Sequence, residues 1–444
     1  MTDRAANPFV GPRAFEAADR ELFFGREADT RRLKSLVIAR KAVLLYAPSG
    51  AGKSSLLRAG LLPRLDREVA GLRVFPVARL GGAEPAAGPG NLYVRHLLAA
   101  LPGQDAPPGD EATDDGGRLE AGLRRALLAL AAGPPDAEME AGLLVIDQLE
   151  EIFTAAHPAA ECRDFLAALT RALGRLPQLS LLLILREDYL AHLDPFLHGF
   201  PDRLRARYRL ELLGSEAAIR SIRGPAERAG LEVEESVAQK LVESLRRHGP
   251  AGAARAAEQE LAEFVDPVQL QVVCRRFWES LPPGTTRVEI GQVAAFGTVD
   301  GVLGAYYAER VAAVAAATGT PERVLRDWID RYLITADGLR SQVRKESDRT
   351  LGLAAAAIDG LIEARLLRTE MRRGGVWYEL AHDRLVAPIH DDNEDWERRH
   401  EFAVESRRRK GWKATALGFL ALGAAAVWLL RPRRTERKTS RRDR

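Results

Sequence analysis

Short, continuous apolar runs alternate with amphipathic stretches over the first half of the chain. Runs of this kind are typical of strands that are buried on both faces of a parallel sheet. The stretches between them repeat their apolar residues at helical spacing, as Leu33, Leu36 and Val37 do. The runs cover residues 42–47, 72–80, 143–147, 180–186 and 208–212. The pattern predicts an α/β fold in which helices flank both faces of a parallel sheet.

Helical periodicity replaces this alternation after residue 214. Two short β-prone runs, 367–370 and 376–380, come near its end and flank the turn-forming pair Gly374-Gly375. The helical stretches cover residues 215–229, 234–248, 257–280, 289–317, 322–334 and 354–366. Helices followed by a hairpin predict a winged-helix domain.

Seventeen uncharged, mostly apolar residues occur near the C-terminus, from Ala414 to Leu430. At about 1.5 Å per residue, this length is at the lower limit for a membrane-spanning helix. Trp412 and Trp428 suit interfacial positions, and the basic flanks suit contact with anionic membrane lipids. The sequence therefore predicts a single-pass membrane protein whose main body lies in the cytoplasm. The alternatives are a buried helix and a helix that lies on the membrane surface.

The distribution of charge bears on nucleic acid as a partner, and the cysteine content bears on disulfides and zinc sites. The net charge of +3 is uneven, because residues 398–444 hold 15 basic and 4 acidic residues, whereas the rest holds 50 basic and 58 acidic. The acidic body argues against nucleic acid as a partner. The only two cysteines, Cys162 and Cys274, indicate reduced core thiols and neither a disulfide framework nor a zinc site.

The turn after the first apolar run carries the clearest chemical signal. A Gly-rich turn between a strand and a helix is typical of a P-loop, whose backbone N–H groups bind nucleotide phosphates. Lys53 is expected to pair with the β- and γ-phosphates, and the Ser54 hydroxyl to ligate Mg²⁺. Ala47 stands where the usual motif begins with glycine. The predicted nucleotide-binding residues of the loop are Ser49, Gly50, Ala51, Gly52, Lys53, Ser54 and Ser55.

A second apolar run ends in acidic residues. Leu143 to Ile146 leads into Asp147, and Glu150 and Glu151 follow shortly after. In P-loop NTPases an acid at the tip of a neighbouring strand holds Mg²⁺, and a carboxylate orients the water that attacks the γ-phosphate. We assign Asp147 to Mg²⁺. Glu150 and Glu151 are both candidates for the water, and Glu150 is preferred.

Several segments together resemble the bacterial novel-type STAND NTPases, which are signal-transduction ATPases related to NOD-like receptors and AAA+ ATPases. The resemblance spans about residues 7–395. It implies an ATPase core, a helical lid and a winged-helix domain, with ADP holding a closed monomer and ATP permitting an open, oligomerising form. The segments are Asn7-Pro8-Phe9-Val10-Gly11-Pro12-Arg13-Ala14-Phe15, Phe24-Gly25-Arg26-Glu27, Ser49 to Leu61 and Val145 to Phe153.

The resemblance also gives roles to residues outside the P-loop. Gly25 and Arg26 match the family's box near the adenine. Arg186 stands where the family places a sensor of the γ-phosphate, and Pro267 where a proline packs on the adenine. His382, in a His-Asp motif, matches the histidine that contacts the ADP β-phosphate and locks the closed state.

Structural explanations compete with three of these roles. Arg186 is next to two acids, Glu187 and Asp188, with which it could form only a salt bridge. Pro267 suits the first turn of any helix, and His382 could be a hydrogen-bonded structural histidine.

The leading interpretation is a membrane-tethered ATP-binding and ATP-hydrolysing STAND switch that uses ATP, ADP and Mg²⁺. Its expected partners are further copies of itself, membrane lipids and an unidentified signalling or effector protein. One alternative is a DNA-associated AAA+-like ATPase with a winged helix, and another is a scaffold that binds ATP but barely turns it over. The expected segments are an N-terminal extension (1–20), the ATPase core (21–213), the lid (214–300), the winged helix (301–395), a basic juxtamembrane segment (396–413), the transmembrane helix (414–430) and a basic tail (431–444).

Overall fold

Five parallel strands form the central sheet of the protein. They are seen in a computed structural model that describes residues 6–81, 90–103, 114–131, 141–154, 159–246, 264–335, 337–372 and 375–400. The strands are β1 (Ala42–Ala47), β2 (Leu72–Val74), β3 (Ala141–Ile146), β4 (Leu179–Arg186) and β5 (Arg207–Arg209). Their spatial order is β2-β3-β4-β1-β5, and every pairing is parallel. The predicted α/β architecture is confirmed for this part of the chain.

The sheet is buried on both faces because its strands are apolar at consecutive positions. In β1, Val43 and Leu45 pack on one face, and Leu44 packs on the other. The same alternation continues in β4, where Leu182 and Leu183 belong to opposite cores. Since successive side chains of a strand point in opposite directions, a strand covered on both sides must be apolar throughout.

Helices cover both faces, as predicted. Helix α1 (Glu27–Ala39) and the helical segments that follow the first strand contribute to one core, and α4 (Leu92–Ala99), α5 (Asp115–Ala131) and α7 (Ala159–Arg175) contribute to the other. The remaining helices of this part are α2 (Lys53–Ser55), α3 (Leu62–Glu68), α6 (Glu151–Thr154) and α8 (Leu190–Leu193).

Three elements differ from the sequence expectation. Strands β2 and β5 are shorter than their apolar runs, and beyond β2 the contact with β3 continues only as an isolated bridge between Ala78 and Ile146. The helix after the P-loop contains a π-helical stretch, Leu56–Leu61, between α2 and α3. Gly60 lies in this stretch, and a Cβ there would come within 2.9 Å of the Thr30 hydroxyl. The widened turn is therefore packed closely against α1.

A helical region follows the sheet. It consists of α9 (Ser215–Arg228), α10 (Glu235–Arg246), α11 (Pro267–Ser280), α12 (Ile290–Phe296) and α13 (Val299–Thr318), with the short parallel pair β6 (Glu232–Val233) and β7 (Arg287–Val288). The single helix expected over 289–317 is in fact two helices, because Gly297 adopts a φ of +93° between them. The first part of the helix expected over 257–280 lies outside the described residues.

A mixed region of helices and strands, residues 322–389, comes next. Its three-stranded antiparallel sheet consists, in spatial order, of β11 (Leu367–Arg372), β12 (Gly375–Leu380) and β8 (Gln342–Arg344), and the predicted hairpin forms the first two. The elements in chain order are α14 (Glu322–Leu333), β8 (Gln342–Arg344), β9 (Arg349–Thr350), β10 (Leu353–Ala354), α15 (Ala355–Glu363), β11 (Leu367–Arg372) and β12 (Gly375–Leu380). The helix that follows runs over residues 386–400.

The chain divides into two units, with the boundary between residues 389 and 390. The described part of the second unit is residues 390–400, which are helical. Within the described residues, no helix is long and apolar enough to cross a membrane. This finding contradicts the predicted single-pass membrane location. The segment 414–430 and its basic flanks, on which that prediction rested, lie outside the described residues.

An ion network around one buried carboxylate stabilises the small antiparallel sheet. Glu379 of β12 is fully buried, and its carboxylate accepts hydrogen bonds from Gln342 and Arg368. Arg340 lies 3.7 Å from the same carboxylate and pairs with Asp383 at 2.8 Å. Burial alone raises the pKa of Glu379, but the hydrogen bond from Gln342 and the positive charge of Arg368 outweigh it and hold the pKa below its ordinary value of 4.5.

Glu379→Gln should lower stability at neutral pH by about 2 kcal/mol, because it replaces a buried charged acceptor by a neutral amide beside the partly exposed Arg340 and Arg368. Since the folded-state pKa is depressed, the carboxylate contributes fully well above pH 4.5 and progressively less as the pH falls through the folded-state value. Melting temperatures should therefore differ most near neutral pH and converge in acid. Glu363→Gln, at an exposed position of α15, is the control and should show no such convergence. A constant difference at all pH values would contradict the role of Glu379.

Candidate functional site

The predicted P-loop connects β1 to α2. Gly50 and Gly52 adopt φ values of +82° and +96°, which side chains with a Cβ rarely tolerate. Ala51 between them is fully buried, and Ser49 is half-buried. The Ser55 hydroxyl accepts a hydrogen bond from the backbone N–H of Phe15 at 3.1 Å. Ser55 thus ties the N-terminal segment to the loop.

Lys53 lies inside the loop. Its Nζ donates to the carbonyl oxygens of Ala47 at 3.1 Å and Pro48 at 3.2 Å. Burial lowers the pKa of Lys53, and the negative charge of Glu150 acts in the opposite direction. The ammonium group is therefore held at the loop by weak acceptors, which an anionic phosphate would replace favourably.

The two residues assigned to Mg²⁺ touch each other. The Ser54 hydroxyl donates to Asp147 Oδ2 at 3.2 Å, and Asp147 is only 1% exposed. This contact spans β1 and β3, whose C-terminal ends lie on either side of β4. Arg79, half-exposed beyond β2, places its guanidinium 4.0 Å from the same carboxylate oxygen. A hydroxyl and a carboxylate side by side are oxygen ligands of the kind that Mg²⁺ shares with phosphates.

The two neighbouring glutamates face different partners. Glu150 Oε2 accepts a hydrogen bond from the backbone N–H of Arg186 at 3.2 Å. Burial raises its pKa, while the charge of Lys53 lowers it. Glu151 instead accepts from the backbone N–H of Gly81 at 2.6 Å, and burial raises its pKa as well. Glu150 thus lies within the influence of the P-loop lysine, whereas Glu151 anchors the segment that follows β2.

Arg186 ends β4 between the P-loop and Asp147. Its guanidinium forms a two-pronged contact with Asp188, at 3.1 Å and 2.7 Å. Its third nitrogen donates to the Thr369 hydroxyl of β11 at 3.3 Å. The salt bridge to Asp188 was the structural alternative for this residue, and it is present. Its link to β11 was not expected.

His382 reaches the P-loop together with an acid of α11. Its Nδ1 lies 3.2 Å from Asp266 Oδ2. A Cβ built on Gly50 would lie 3.3 Å from that oxygen and 3.6 Å from His382 Cε1. The other oxygen of Asp266 caps α11 by accepting the N–H groups of Val268 and Gln269, at 2.8 Å and 3.1 Å. The histidine predicted from the motif is therefore held directly over the phosphate-binding loop.

Gly25 packs closely against α9, and Arg26 contacts the P-loop. Gly25 has a φ of +84°, and a Cβ there would meet Ser221 Oγ at 2.3 Å, so only glycine permits this approach to α9. Arg26 is 7% exposed and donates to the carbonyl oxygens of Ala51 at 2.9 Å and Glu211 at 2.8 Å. It joins the P-loop to the end of the sheet.

A small cavity lies beside these two residues. Its free volume is about 50 Å³, smaller than a purine ring, so a base would enter only if neighbouring side chains moved apart. Pro267, predicted to pack on the adenine, lines it. The other lining residues are Phe15, Leu22, Phe23, Phe24, Arg26, Ala51, Gly52, Ser55, Leu213, Ser221, Leu270 and Gln271.

The structure brings together most of the residues chosen from the sequence. Ser54, Asp147, Lys53, Glu150 and Arg186 surround the C-terminal ends of β1, β3 and β4, while Glu151 turns toward Gly81. Sequence reasoning missed Asp266 and Arg79. Asp266 resembles an ordinary helix cap before a proline, and Arg79 resembles a surface charge. Only the fold reveals their neighbours.

Comparison with known proteins places the chain near P-loop ATPases. A family model described as Novel STAND NTPase 1 matches residues 8–415. No curated protein matches the chain.

Solved structures show a distant likeness. The Walker-type ATPase PABY2304 of Pyrococcus abyssi is 15% identical, with a TM-score of 0.46 over 87% of this chain and 100% of its own. The ORC2 protein of Aeropyrum pernix, in ADPNP-ADP complexes, is 12% identical, with a TM-score of 0.40 over 84% and 94%. The ORC1 protein of the same organism, in complex with DNA, is 17% identical, with a TM-score of 0.38 over 84% and 93%. Likenesses this distant say nothing about what this chain binds.

Lys53→Ala should remove nucleotide binding without unfolding the protein, since the hydrogen bonds that Nζ makes within the described part of the chain go to two carbonyl oxygens of its own loop. The expected loss of affinity for ATP is at least about 100-fold, as for a charged contact with phosphate. Titration calorimetry with ATP measures it. Lys41→Ala is the matched control, because Lys41 precedes the same strand and contacts Leu176 and Pro177 instead. Equal ATP affinity in the two variants would contradict the assignment.

Proposed function

The chain belongs to the novel STAND NTPase 1 family, and we propose that it is an ATP-hydrolysing molecular switch controlled by closure over its P-loop. ADP favours the closed form. Exchange for ATP favours an open form that associates with further copies of the chain. Signalling through such an equilibrium requires only that the two nucleotides differ in their affinity for the two forms.

One observation carries the switch proposal. His382, from the region of residues 322–389, meets Asp266, at the start of α11, directly beside Gly50 of the P-loop. Residues far apart in the chain thus converge on the position expected for a β-phosphate. A neutral or protonated imidazole nitrogen can donate to a phosphate oxygen. Nucleotide bound there would therefore stabilise the closed form through His382.

The helical region and the region of residues 322–389 serve as lid and winged helix in this proposal. A buried arginine supports their assignment to one closing unit. Arg384 pairs with Asp300 at 3.0 Å and donates to the carbonyl oxygens of Ser244 and Leu245, at 2.6 Å and 2.7 Å. Because those carbonyls end α10, the guanidinium also complements the negative end of the helix dipole.

Hydrolysis requires an ordered water and compensation of negative charge. Ser54 and Asp147 would hold Mg²⁺, whose charge would compensate the negative charge of the phosphates. Glu150 is the residue proposed to orient the water. Burial raises its pKa, which makes the carboxylate a better proton acceptor near neutral pH. Arg186 could exchange Asp188 for the γ-phosphate, because both present paired oxygens to its guanidinium.

DNA recognition, the alternative function, finds no support in the helix that precedes the hairpin. All nine residues of α15 are described, and they include Asp359 and Glu363 but no basic side chain. A helix that enters a DNA groove normally carries positive charge toward the phosphates. We therefore do not propose DNA binding.

Glu150→Gln should retain ATP binding and lose hydrolysis by about 100-fold or more, because the amide cannot accept a proton from water. Steady-state phosphate release and ATP affinity are both measured on the full chain. The measurement also separates a switch that hydrolyses ATP from a scaffold that merely binds it.

Glu151→Gln is the matched control. Its amide oxygen can still accept from the Gly81 N–H, so hydrolysis should change only a few-fold. If instead Glu151→Gln abolished hydrolysis and Glu150→Gln did not, the roles of the two acids would be reversed. If the wild-type chain bound ATP without detectable turnover, the hydrolytic part of the proposal would be wrong.

A further inference from the structure

One buried polar group remains unsatisfied beside the cavity next to the P-loop. Gln271 lies in the second turn of α11 and is 7% exposed. Its Oε1 is fully buried and accepts no hydrogen bond from any described residue. The side chain lines the cavity together with Pro267 and Leu270 of the same helix. An unsatisfied buried acceptor costs about 1–3 kcal/mol, so proteins rarely keep one that serves no purpose.

The other polar side chains around the cavity already have partners. Arg26 is bonded to Asp29, Ala51 and Glu211. The Ser221 hydroxyl lies within hydrogen-bond distance of two backbone carbonyl oxygens, one in α9 at 2.8 Å and one in the segment before α1 at 2.9 Å, and can donate to either.

Ser55 accepts from a backbone N–H at 3.1 Å. Most of the remaining wall is aromatic or aliphatic. A planar ring with one hydrogen-bond donor on its edge therefore matches the chemistry of this cavity, with Gln271 as the acceptor.

We propose that Gln271 Oε1 accepts a hydrogen bond from the exocyclic amine of the nucleotide base, which makes Gln271 the residue that selects adenine. The inference rests on the proposed function, since it requires the phosphates to lie on the P-loop. The cavity is bounded by Gly52 and Ser55 of that loop. Once neighbouring side chains move apart to admit it, a base in the cavity would adjoin phosphates on the loop. Pro267 would pack on the ring, while Gln271 reads its edge.

The test compares two diphosphates that differ only in the donor. ADP carries the 6-amino group, and purine riboside 5′-diphosphate lacks it. Wild-type full-length protein should bind ADP about tenfold more tightly, the value of one hydrogen bond to an otherwise unsatisfied acceptor. In Gln271→Leu, the two ligands should bind with equal affinity, close to that of the purine riboside compound for the wild type.

Stability provides a second readout that a purely structural glutamine would not give. Leucine removes the unsatisfied oxygen, so the melting temperature of ligand-free Gln271→Leu should equal or exceed that of the wild type. Gln269→Leu is the matched control, because Gln269 is equally buried, at 7%, on the same helix but outside the cavity. That variant should keep the tenfold preference for ADP. Gln271→Met, closer in shape to glutamine, replaces the leucine variant if the latter fails to fold.

The possible failures are distinguishable. If the wild type binds neither diphosphate, the proposed function itself is wrong. If the wild type binds both and Gln271→Leu keeps the wild-type preference, the P-loop assignment survives but Gln271 does not read the base. A wild-type chain that binds both diphosphates equally would overturn the inference as well.

Discussion

One carboxylate, that of Asp266, connects three parts of the chain at the P-loop. One of its oxygens caps α11, the other meets His382, and the pair lies beside Gly50. By capping α11, Asp266 determines where the helix begins. Because the same carboxylate contacts His382, the start of the helix and the position of the histidine are linked. Because Gly50 carries no Cβ, the acid and the imidazole can approach the loop backbone closely. The contact between His382 and the P-loop, on which the proposed closed form rests, thus involves one acid that also caps a helix.

A second contact links the three-stranded sheet of β11, β12 and β8 to the candidate nucleotide site. Arg186, at the end of β4, donates to Thr369 of β11. Arg368, the residue before Thr369, pairs with Glu379. The Glu379 carboxylate also lies 3.7 Å from the guanidinium of Arg340. Arg340 in turn pairs with Asp383, next to His382. The network around Glu379 therefore connects the two contacts through the same three-stranded sheet. In the proposed switch, opening would have to break both contacts together, which is the condition for a two-state transition rather than a gradual loosening.

The sequence predicted the sheet because its strands are apolar on both faces, and it predicted the P-loop because that motif is local. Chain order alone could not give the spatial order of the strands, since pairing depends on contacts distant in sequence. The break at Gly297 was missed because helical periodicity continues across this glycine, whose positive φ separates the two helices. The π-helical stretch after Ser55 was missed because it depends on packing rather than on periodicity. The predicted membrane location is contradicted, since no helix of the described residues could cross a membrane, and the prediction rested on residues 414–430 and their flanks, outside those residues.

Some residues of the candidate site could likewise be predicted from the sequence, whereas others could not. Lys53, Ser54 and Asp147 follow from motifs at strand ends, and the parallel sheet brings such ends together. Asp266 and Gln271 have no motif of their own. In sequence, Asp266 cannot be told from an ordinary helix cap, and Gln271 cannot be told from any other buried position of an amphipathic helix. Only the structure shows that Asp266 lies 3.2 Å from His382 Nδ1, and that Gln271 Oε1 has no hydrogen-bond partner among the described residues.

The most direct test of the closed switch is the nucleotide that remains bound to the full-length chain after purification, identified by chromatography once the protein is denatured. The account predicts close to one ADP per chain in the wild type and a much lower content in His382→Ala. Wild-type protein that carries no nucleotide, or a His382→Ala variant that retains as much ADP as the wild type, would contradict it.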